Sequence, residues 1–302
     1  MLRRLNEKER FTPFLLLGPA LLLMLLIVAY PLFQALRLSL FDASLLRPDR
    51  ARFVGLTNYL NVLRDPLFLR SLLNSAIWVV GCVTLQFTIG MLGALLLNRE
   101  FPGRGLVRGL SLIPWATSGV LVSLMWTWML DGNYGVINDI LVRLGLISQY
   151  RPWLALPISL GGVIAANVWQ GAPFFAVMLL AAMQSVPQEL YEAARIDGAG
   201  RFQQFRSVTI PLIMPTIVIT TMLRIVWTAN YMDLVFVMTG GGPGNASIIL
   251  PVLSYITAYK KLKVGEATAM AVLQAILLII TLFVYLRLVN RKGEGGLSLY
   301  EV

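Results

Sequence analysis

Long runs without a charged side chain constrain this 302-residue chain more than any other feature of its sequence. A helix rises about 1.5 Å per residue, so roughly 20 apolar residues cross the hydrocarbon core of a bilayer. Six uncharged runs meet or approach that length: residues 11–36, 71–98, 109–130, 152–188, 207–223 and 267–286. The sequence therefore predicts an all-α, polytopic membrane protein with six spans, at about residues 13–37, 72–97, 107–130, 155–183, 209–231 and 267–289.

The composition agrees with a chain that lies in a bilayer. Hydrophobic residues make up 57% of it and charged residues 13%, whereas a soluble domain carries about 25% charge. Histidine is absent and Cys82 is the single cysteine, so there is no disulfide framework, no CxxC motif and no imidazole to bind a metal or act as a general base. We therefore predict no metal site, no catalytic site and no enzymatic activity for this chain.

Positive charge sets the expected orientation of the spans. The net charge of +10 is scattered between apolar runs, so we predict contact with membrane lipid and no nucleic-acid partner. Four basic residues directly precede the first span. The segments on that side are shorter in total than the segments on the other side. Basic residues are nearly as numerous on the other side, so the density of positive charge is higher on the side of the N-terminus. This bias predicts that both termini, residues 1–12 and 291–302, lie in the cytoplasm.

The predicted connections on the outer side contain sequence patterns that indicate short helices and a loop. Residues 53–74 space apolar side chains at helical intervals, which predicts an interfacial helix leading into the second span. A docking surface and a plain surface helix fit that pattern equally. Residues 131–146 predict a turn and a short amphipathic helix. TGGGPGN, at residues 239–245, predicts an external loop, because its glycines and proline would leave backbone groups unpaired in lipid.

A compact polar segment, residues 185–210, separates the fourth and fifth predicted spans. Ser185 and Gln188 match an S-x-x-Q capping box, so a helix is predicted to begin there. Gly198 predicts its end, since glycine tolerates the left-handed conformation that commonly closes a helix. A second short helix, residues 201–210, leads to the next span. On these residues alone the segment is either an ordinary connection or a rigid helix-turn-helix that another protein approaches.

The same segment resembles the EAA loop of the membrane permease subunits of ATP-binding-cassette (ABC) importers. The family's E-A-A-x(3)-G is read here at Glu192, Ala193, Ala194 and Gly198, and residues 210–212, IPL, stand in place of its I-x-L-P. The stretches VGLTNYLNVLRDP, IPWATSGVLVSLMW, GVINDIL and TGGGPG extend the similarity, to the carbohydrate-uptake branch, over nearly the whole chain. The resemblance implies the type I importer permease fold in a bacterial inner membrane. It also implies that two different permease subunits pair, as in maltose or glycerol-phosphate permeases.

The resemblance implies the partners and cofactors as well. It predicts an ATPase dimer that binds ATP and magnesium and an extracytoplasmic solute-binding protein, while this chain binds no cofactor. The sequence agrees, because it lacks a G-x-x-x-x-G-K-[ST] phosphate-binding loop. In the family the EAA loop inserts its first helix into a cleft of the ATPase. This assigns ATPase coupling to seven residues: Glu189, Tyr191, Glu192, Ala193, Ala194, Asp197 and Gly198.

Polar and aromatic side chains form two stripes inside the predicted spans. Each stripe follows the i, i+3, i+4, i+7 spacing of one helix face. The members are Asn167, Gln170, Gly171 and Phe174 in the fourth span, and Arg224, Trp227, Thr228 and Tyr231 in the fifth. By the resemblance, the stripes coincide with those that hold sugar in maltose-type permeases. Aromatic faces stack on sugar C–H groups while amides and hydroxyls exchange hydrogen bonds, so a sugar or polyol is the expected substrate.

Other roles for these residues stay open on the sequence alone. A stripe at helical spacing also marks helix packing. Arg224, an expensive charge inside a span, faces the substrate, pairs with Asp233 or lines the path structurally. Pro114 predicts a kink in the third span, and Trp126 and Trp128 predict an interfacial belt rather than a binding role.

Two functions fit a membrane protein with these sequence features. The first is a permease subunit of an ATP-driven, binding-protein-dependent sugar importer. The alternative is a self-sufficient secondary transporter, which predicts inverted repeats, broken spans and intramembrane acids for ion coupling. The six uncharged runs contain no carboxylate and the halves show no convincing repeat, so the sequence favours the importer subunit.

Overall fold

A computed structural model describes residues 7–293 of the protein. Its helices are α1 Glu7–Met24, α2 Tyr30–Ser39, α3 Thr57–Arg64, α4 Pro66–Leu97, α5 Arg104–Ser111, α6 Ile113–Ala116, α7 Gly119–Met129, α8 Val136–Arg143, α9 Ser159–Gln184, α10 Gln188–Ile196, α11 Arg201–Gln204, α12 Ile210–Asn230, α13 Asp233–Met238, α14 Leu250–Tyr255 and α15 Val264–Gly293. Three π-helical turns extend them: Leu25–Ala29, Phe205–Thr209 and Ile256–Lys260. A 3₁₀ turn, Pro48–Arg50, separates two short antiparallel strands, β1 Phe41–Asp42 and β2 Arg52–Phe53. The all-α prediction is confirmed.

Five of the described helical segments are long and apolar enough to cross a membrane: Leu16–Ser39, Pro66–Leu97, Ser159–Gln184, Arg201–Met238 and Val264–Val289. A sixth span is formed if the bent pair Arg104–Ala116 and Gly119–Met129 is counted as one. The predicted number of six spans is therefore confirmed, and the third of them is a broken helix.

The kink predicted in the third span is present, but it does not lie at the proline. The span was predicted over residues 107–130 with a kink at Pro114, and its two parts bend by 95°. Thr117 and Ser118 are extended at the break, with ψ of 136° and 138°. Pro114 lies in the first turn of α6, where its missing N–H costs no helical hydrogen bond. The proline therefore marks the start of α6, and the sharp bend follows three residues later.

The predicted interfacial helix over residues 53–74 is also divided. α3 ends at Arg64, and residues 66–74 belong to α4. Asp65 has an extended backbone with ψ of 116°, because a proline disfavours the helical conformation in the residue before it. Pro66 therefore ends one helix and begins another. The predicted helix within residues 131–146 is confirmed as α8.

The described residues group into two compact units. Residues 7–65 with 254–274 form the first, and residues 66–253 with 275–293 form the second. In the first unit, the buried Asn58 amide donates hydrogen bonds to the carbonyls of Ser39 (2.9 Å) and Phe41 (2.8 Å). Gly265 leaves room for the Phe41 carbonyl, which any side chain at this position would strike. These contacts fix the connection after α2 to the start of α15.

α4, α9 and α12 form the core of the second unit. Phe175, Leu179 and Leu180 of α9 are fully buried against apolar residues of α4 and α12. α4 and α9 approach so closely that a Cβ on Gly90 would meet Phe175 and the carbonyl of Ala172, the latter at 2.9 Å. This close packing holds the polar stripe of α9 in a fixed position relative to α4.

The glycine-rich stretch 239–245 lies in a loop, as predicted, between α13 and α14. Asn74 of α4 donates hydrogen bonds to the carbonyls of Ala246 (3.1 Å) and Ile248 (2.9 Å), and the Ser75 hydroxyl accepts one from Leu250 N–H at 2.8 Å. The end of the loop is thus buried against α4. Its backbone groups are satisfied by these side chains, as non-helical backbone in a membrane protein requires.

The close approach of α4 and α9 predicts a local sensitivity to added volume. Gly90→Ala should lower the unfolding temperature of the purified protein by several degrees, because an added methyl group in a packed interface costs about 1–3 kcal/mol. Gly161→Ala is the matched control, since no neighbouring atom lies within 4 Å of a Cβ built there. Equal unfolding temperatures for the two variants would contradict the packing described.

Candidate functional site

The two predicted stripes lie together around one cavity of about 200 Å³ in the second unit. The residues lining it are Trp115, Asn167, Gln170, Gly171, Arg224, Trp227, Thr228 and Tyr231. Seven of these eight belong to the stripes that the helical spacing singles out, and Trp115 is an addition. Phe174, the remaining stripe residue, packs beside the cavity.

One buried amide joins the two stripes. Gln86 of α4 is fully buried and accepts a hydrogen bond from Nε of Arg224 at 2.9 Å. Its Nε2 donates to Oδ1 of Asn167 at 2.7 Å and to the carbonyl of Asn167 at 2.9 Å. Gly171 is required here, because a Cβ would strike both the Gln86 amide and the Arg224 guanidinium. This polar network links α4, α9 and α12.

The suggested pairing of Arg224 with Asp233 is wrong. Arg224 is 8% exposed, and within residues 7–293 no carboxylate lies within ion-pair distance of it. Its Nε is taken up by Gln86, and its guanidinium carbon lies 5.9 Å from the centre of the Phe174 ring. The positive charge therefore faces the cavity and an aromatic ring.

Aromatic rings surround the charged end of the cavity. The Phe174 ring centre lies 5.3 Å from that of Trp227 and 6.0 Å from that of Trp115. Such distances are typical of favourable ring contacts. Two apolar faces, Trp115 and Trp227, thus line the cavity beside the guanidinium of Arg224.

The break in the third span forms part of the site. Gln170 donates a hydrogen bond from Nε2 to the carbonyl of Thr117 at 3.0 Å and accepts one from the Tyr231 hydroxyl at 3.1 Å. The Tyr231 hydroxyl occupies the place where a side chain on Gly119 would lie. The bend in the third span is therefore held by side chains of the cavity, and it carries Trp115 to the cavity wall.

Thr228 presents an unused polar atom. Its Oγ1 is buried and has no hydrogen-bond partner among the described residues, although its backbone carbonyl accepts a bond from Trp78 at 2.9 Å. A buried polar group without a partner costs free energy that a bound water or solute can recover. Thr228 is also one of the residues that line the cavity.

Trp126 and Trp128 lie outside the cavity lining. Trp128 is 71% exposed and its ring centre lies 6.4 Å from that of Tyr134. Trp126 packs against Trp169, with ring centres 6.1 Å apart. The exposed position of Trp128 suits the interfacial belt that the sequence predicts, whereas Trp126 packs against α9.

The predicted capping box at the start of the polar segment is wrong. Ser185 closes α9, with a helical backbone, and its hydroxyl donates to the carbonyl of Ala182 at 2.8 Å. A residue in that conformation cannot serve as the extended N-cap of the next helix. Pro187, with ψ of 133°, precedes α10 instead, and the helix begins at Gln188.

The predicted end of α10 is confirmed. Gly198 has φ of +80°, and its N–H donates to the carbonyl of Arg195 at 3.0 Å. Ala199 N–H donates to the carbonyl of Ala194 at 2.8 Å. These two bonds form a Schellman motif, which satisfies the last carbonyls of the helix. α10 therefore ends in a defined, hydrogen-bonded turn.

The second helix of the polar segment does not stop at residue 210. α11, the π-helical turn Phe205–Thr209 and α12 follow one another without a break, because a proline in the first turn, as Pro211 is in α12, is compatible with a helix. The hydroxyls of Tyr191 and Thr209 lie 3.0 Å apart. This contact joins α10 to the start of the fifth span.

The polar segment presents a largely exposed surface. α10 has no buried residue, and two large apolar side chains are open to the surroundings, Ile196 at 86% and Phe202 at 75%. The sequence motif did not single out these two residues.

The comparison with known families decides the class of protein. The pattern of the family "Binding-protein-dependent transport system inner membrane component" matches residues 86–293, which is more than half of the chain. The protein belongs to this family. It is a permease of the binding-protein-dependent transport systems and a multi-pass inner-membrane protein, and this membership rules out the self-sufficient secondary transporter.

Named relatives match this permease over most of their length. It is 35% identical to the trehalose/maltose transport system permease protein MalF of Thermococcus litoralis, over 94% of this chain and 95% of the relative. It is 33% identical to the sulfoquinovosyl glycerol transport system permease protein SmoG of Agrobacterium fabrum, over 96% and 94%. The trehalose transport system permease protein SugA of Mycobacterium tuberculosis is 32% identical, over 95% and 92%.

A solved structure has the same fold. In a bacterial ABC transporter involved in the import of the acidic polysaccharide alginate, one chain superposes on the permease with a TM-score of 0.80 and 21% identity. The match covers 94% of the permease and 96% of that chain. The type I importer permease fold is therefore confirmed.

Proposed function

We propose that this permease is the membrane-spanning subunit of an ATP-driven, binding-protein-dependent importer for a sugar or sugar-like solute, and that it forms half of the translocation path. The observation that carries the proposal is the cavity in which both stripes meet. It combines tryptophan faces, amides, hydroxyls and one cation within about 200 Å³. A sugar offers the complementary groups, namely C–H surfaces for stacking and hydroxyls for hydrogen bonds.

The relatives support a sugar as the solute. Their names specify trehalose or maltose in Thermococcus litoralis, sulfoquinovosyl glycerol in Agrobacterium fabrum and trehalose in Mycobacterium tuberculosis. All three are compounds that contain a sugar. We therefore assign the substrate path to Asn167, Gln170, Gly171, Phe174, Arg224, Trp227, Thr228 and Tyr231.

Within that path the side chains have distinct roles. The rings of Trp115 and Trp227 stack on the apolar face of the sugar. Thr228 and Asn167 exchange hydrogen bonds with its hydroxyls, and Arg224 donates to its oxygen atoms. Gly171 and Phe174 shape the wall around the guanidinium.

The polar segment is the proposed site of ATPase coupling. With both termini in the cytoplasm, α10 lies on the cytoplasmic face, where the ATPase dimer with its ATP and magnesium would contact it. The coupling residues are Glu189, Tyr191, Glu192, Ala193, Ala194, Asp197 and Gly198, and the exposed Ile196 and Phe202 add an apolar contact. A capped helix joined to α12 by the Tyr191–Thr209 contact would transmit the ATPase motion instead of absorbing it.

The complex we propose contains a second, different permease, the ATPase dimer and an extracytoplasmic solute-binding protein. The family description itself names binding-protein-dependent transport. The alginate transporter has also been solved in complex with a periplasmic protein bound to an alginate pentasaccharide. These findings support the solute-binding protein as a partner of this permease.

The cavity assignment is tested by reconstituting the whole importer in lipid vesicles. Trp227→Ala should lower sugar uptake about tenfold, since loss of a stacking face worth about 1.4 kcal/mol corresponds to that factor. ATP hydrolysis stimulated by the binding protein should persist. Trp128→Ala, which removes an exposed tryptophan outside the cavity, is the control and should transport normally. Normal uptake by the Trp227 variant would show that its ring serves only in packing.

The coupling assignment is tested at Gly198, whose left-handed backbone disfavours other residues. Gly198→Val should abolish ATP hydrolysis stimulated by the binding protein, because a β-branched residue strains the turn that ends α10. Gly198→Asn is the matched control, since asparagine tolerates this conformation, and it should retain most of the activity. Assembly is checked by co-purification of all subunits. If the assembled valine variant shows unchanged ATP hydrolysis and uptake, α10 is not the coupling element.

A further inference from the structure

Gln86 touches the residues of the cavity without lining it. It lies in the middle of α4, fully buried, and its amide is shared between α9 and α12. A buried amide is retained only when its donors and acceptor are satisfied. All three hydrogen bonds of the side chain go to stripe residues, two to Asn167 and one to Arg224. The Gln86 side chain therefore bonds residues of the substrate path and not residues that only pack the helices together.

The polarity of the Gln86 amide determines what its partners can offer. Its oxygen accepts from Nε of Arg224, so the terminal nitrogens of the guanidinium remain to face the cavity. Its nitrogen donates to Oδ1 of Asn167, so the amide nitrogen of Asn167 remains on the other side. Both remaining groups are hydrogen-bond donors. Asn167 and Arg224 therefore form a wall of hydrogen-bond donors, which is complementary to acceptor atoms of a solute.

We propose that Gln86 is a positioning residue of the transport path, which holds Arg224 and Asn167 as a donor wall for the oxygen atoms of the passing solute. The inference rests on the proposed function, because it takes the cavity as the place where the solute passes. Gly171 completes the arrangement, since its missing side chain leaves room for the Gln86 amide and the Arg224 guanidinium. A side chain there would separate the two groups that Gln86 joins.

The first arm of the test examines positions. Cryo-electron microscopy of the assembled importer would compare the parent with Gln86→Met, which keeps the length of the side chain but removes its three hydrogen bonds. The Arg224 head group and the Asn167 amide should leave the positions they hold in the parent. In Gln86→Glu, which keeps an acceptor for Arg224 but loses the donor to Asn167, the guanidinium should stay in place while the Asn167 amide moves. This second variant keeps the test decisive if the methionine variant does not assemble.

The second arm measures transport in vesicles that contain the whole importer. The probes are radiolabelled maltose, trehalose and sulfoquinovosyl glycerol, and the readout is the number of solute molecules taken up per ATP hydrolysed. Gln86→Met should lower this ratio about tenfold. Crossing it with Asn167→Ala should produce little further loss, because residues that act through one another are not additive. Thr88→Val, a change to an exposed residue two positions further along α4, should behave like the parent.

The outcomes separate this inference from the proposed function. Unmoved Arg224 and Asn167 in Gln86→Met overturn the positioning role. Displaced side chains with an unchanged uptake ratio overturn its importance for transport, as do fully additive losses in the double variant. If the parent carries none of the three probes, the sugar assignment is contradicted, and the side-chain positions in the two variants still decide whether Gln86 holds the donor wall.

Discussion

The hydrogen bonds of a single buried amide, Gln86, organise the centre of this permease. A polar side chain inside an apolar helix bundle must find its partners within the protein, and Gln86 finds them on α9 and α12. The close packing of α4 against α9 at Gly90 brings the amide within reach of Asn167. Once these three helices are fixed, the two polar stripes face each other and enclose the cavity.

The same helices connect the cavity to the polar segment. α9 carries Asn167 and Gln170, and it ends just before α10. α12 continues directly from α11 and carries Arg224 and Thr228. The Tyr191–Thr209 contact joins α10 to the beginning of this continuous helix. A movement of α10 driven by an ATPase would therefore be conveyed along α12, and the cavity residues it carries would move with it.

Local patterns in the sequence predict the features that depend on one helix alone. The six apolar runs and the two stripes follow from helix length and periodicity, and the end of α10 follows from the backbone freedom of Gly198. Features that depend on contacts between helices were missed. Gln86 is not part of a polar stripe on α4. The bend that brings Trp115 to the cavity is held by Gln170, which belongs to another helix. The capping box failed for a local reason, since the Ser185 hydroxyl bonds back to the carbonyl of Ala182 at the end of α9.

The most direct measurement is the structure of the assembled importer, captured with its solute-binding protein and sugar during transport. We expect sugar density in the cavity of this permease, with a ring stacked on Trp227 and hydroxyls within hydrogen-bond distance of Thr228 and Asn167. Sugar density confined to the second permease, with the Trp227 and Arg224 side chains contacting only helices, would contradict it.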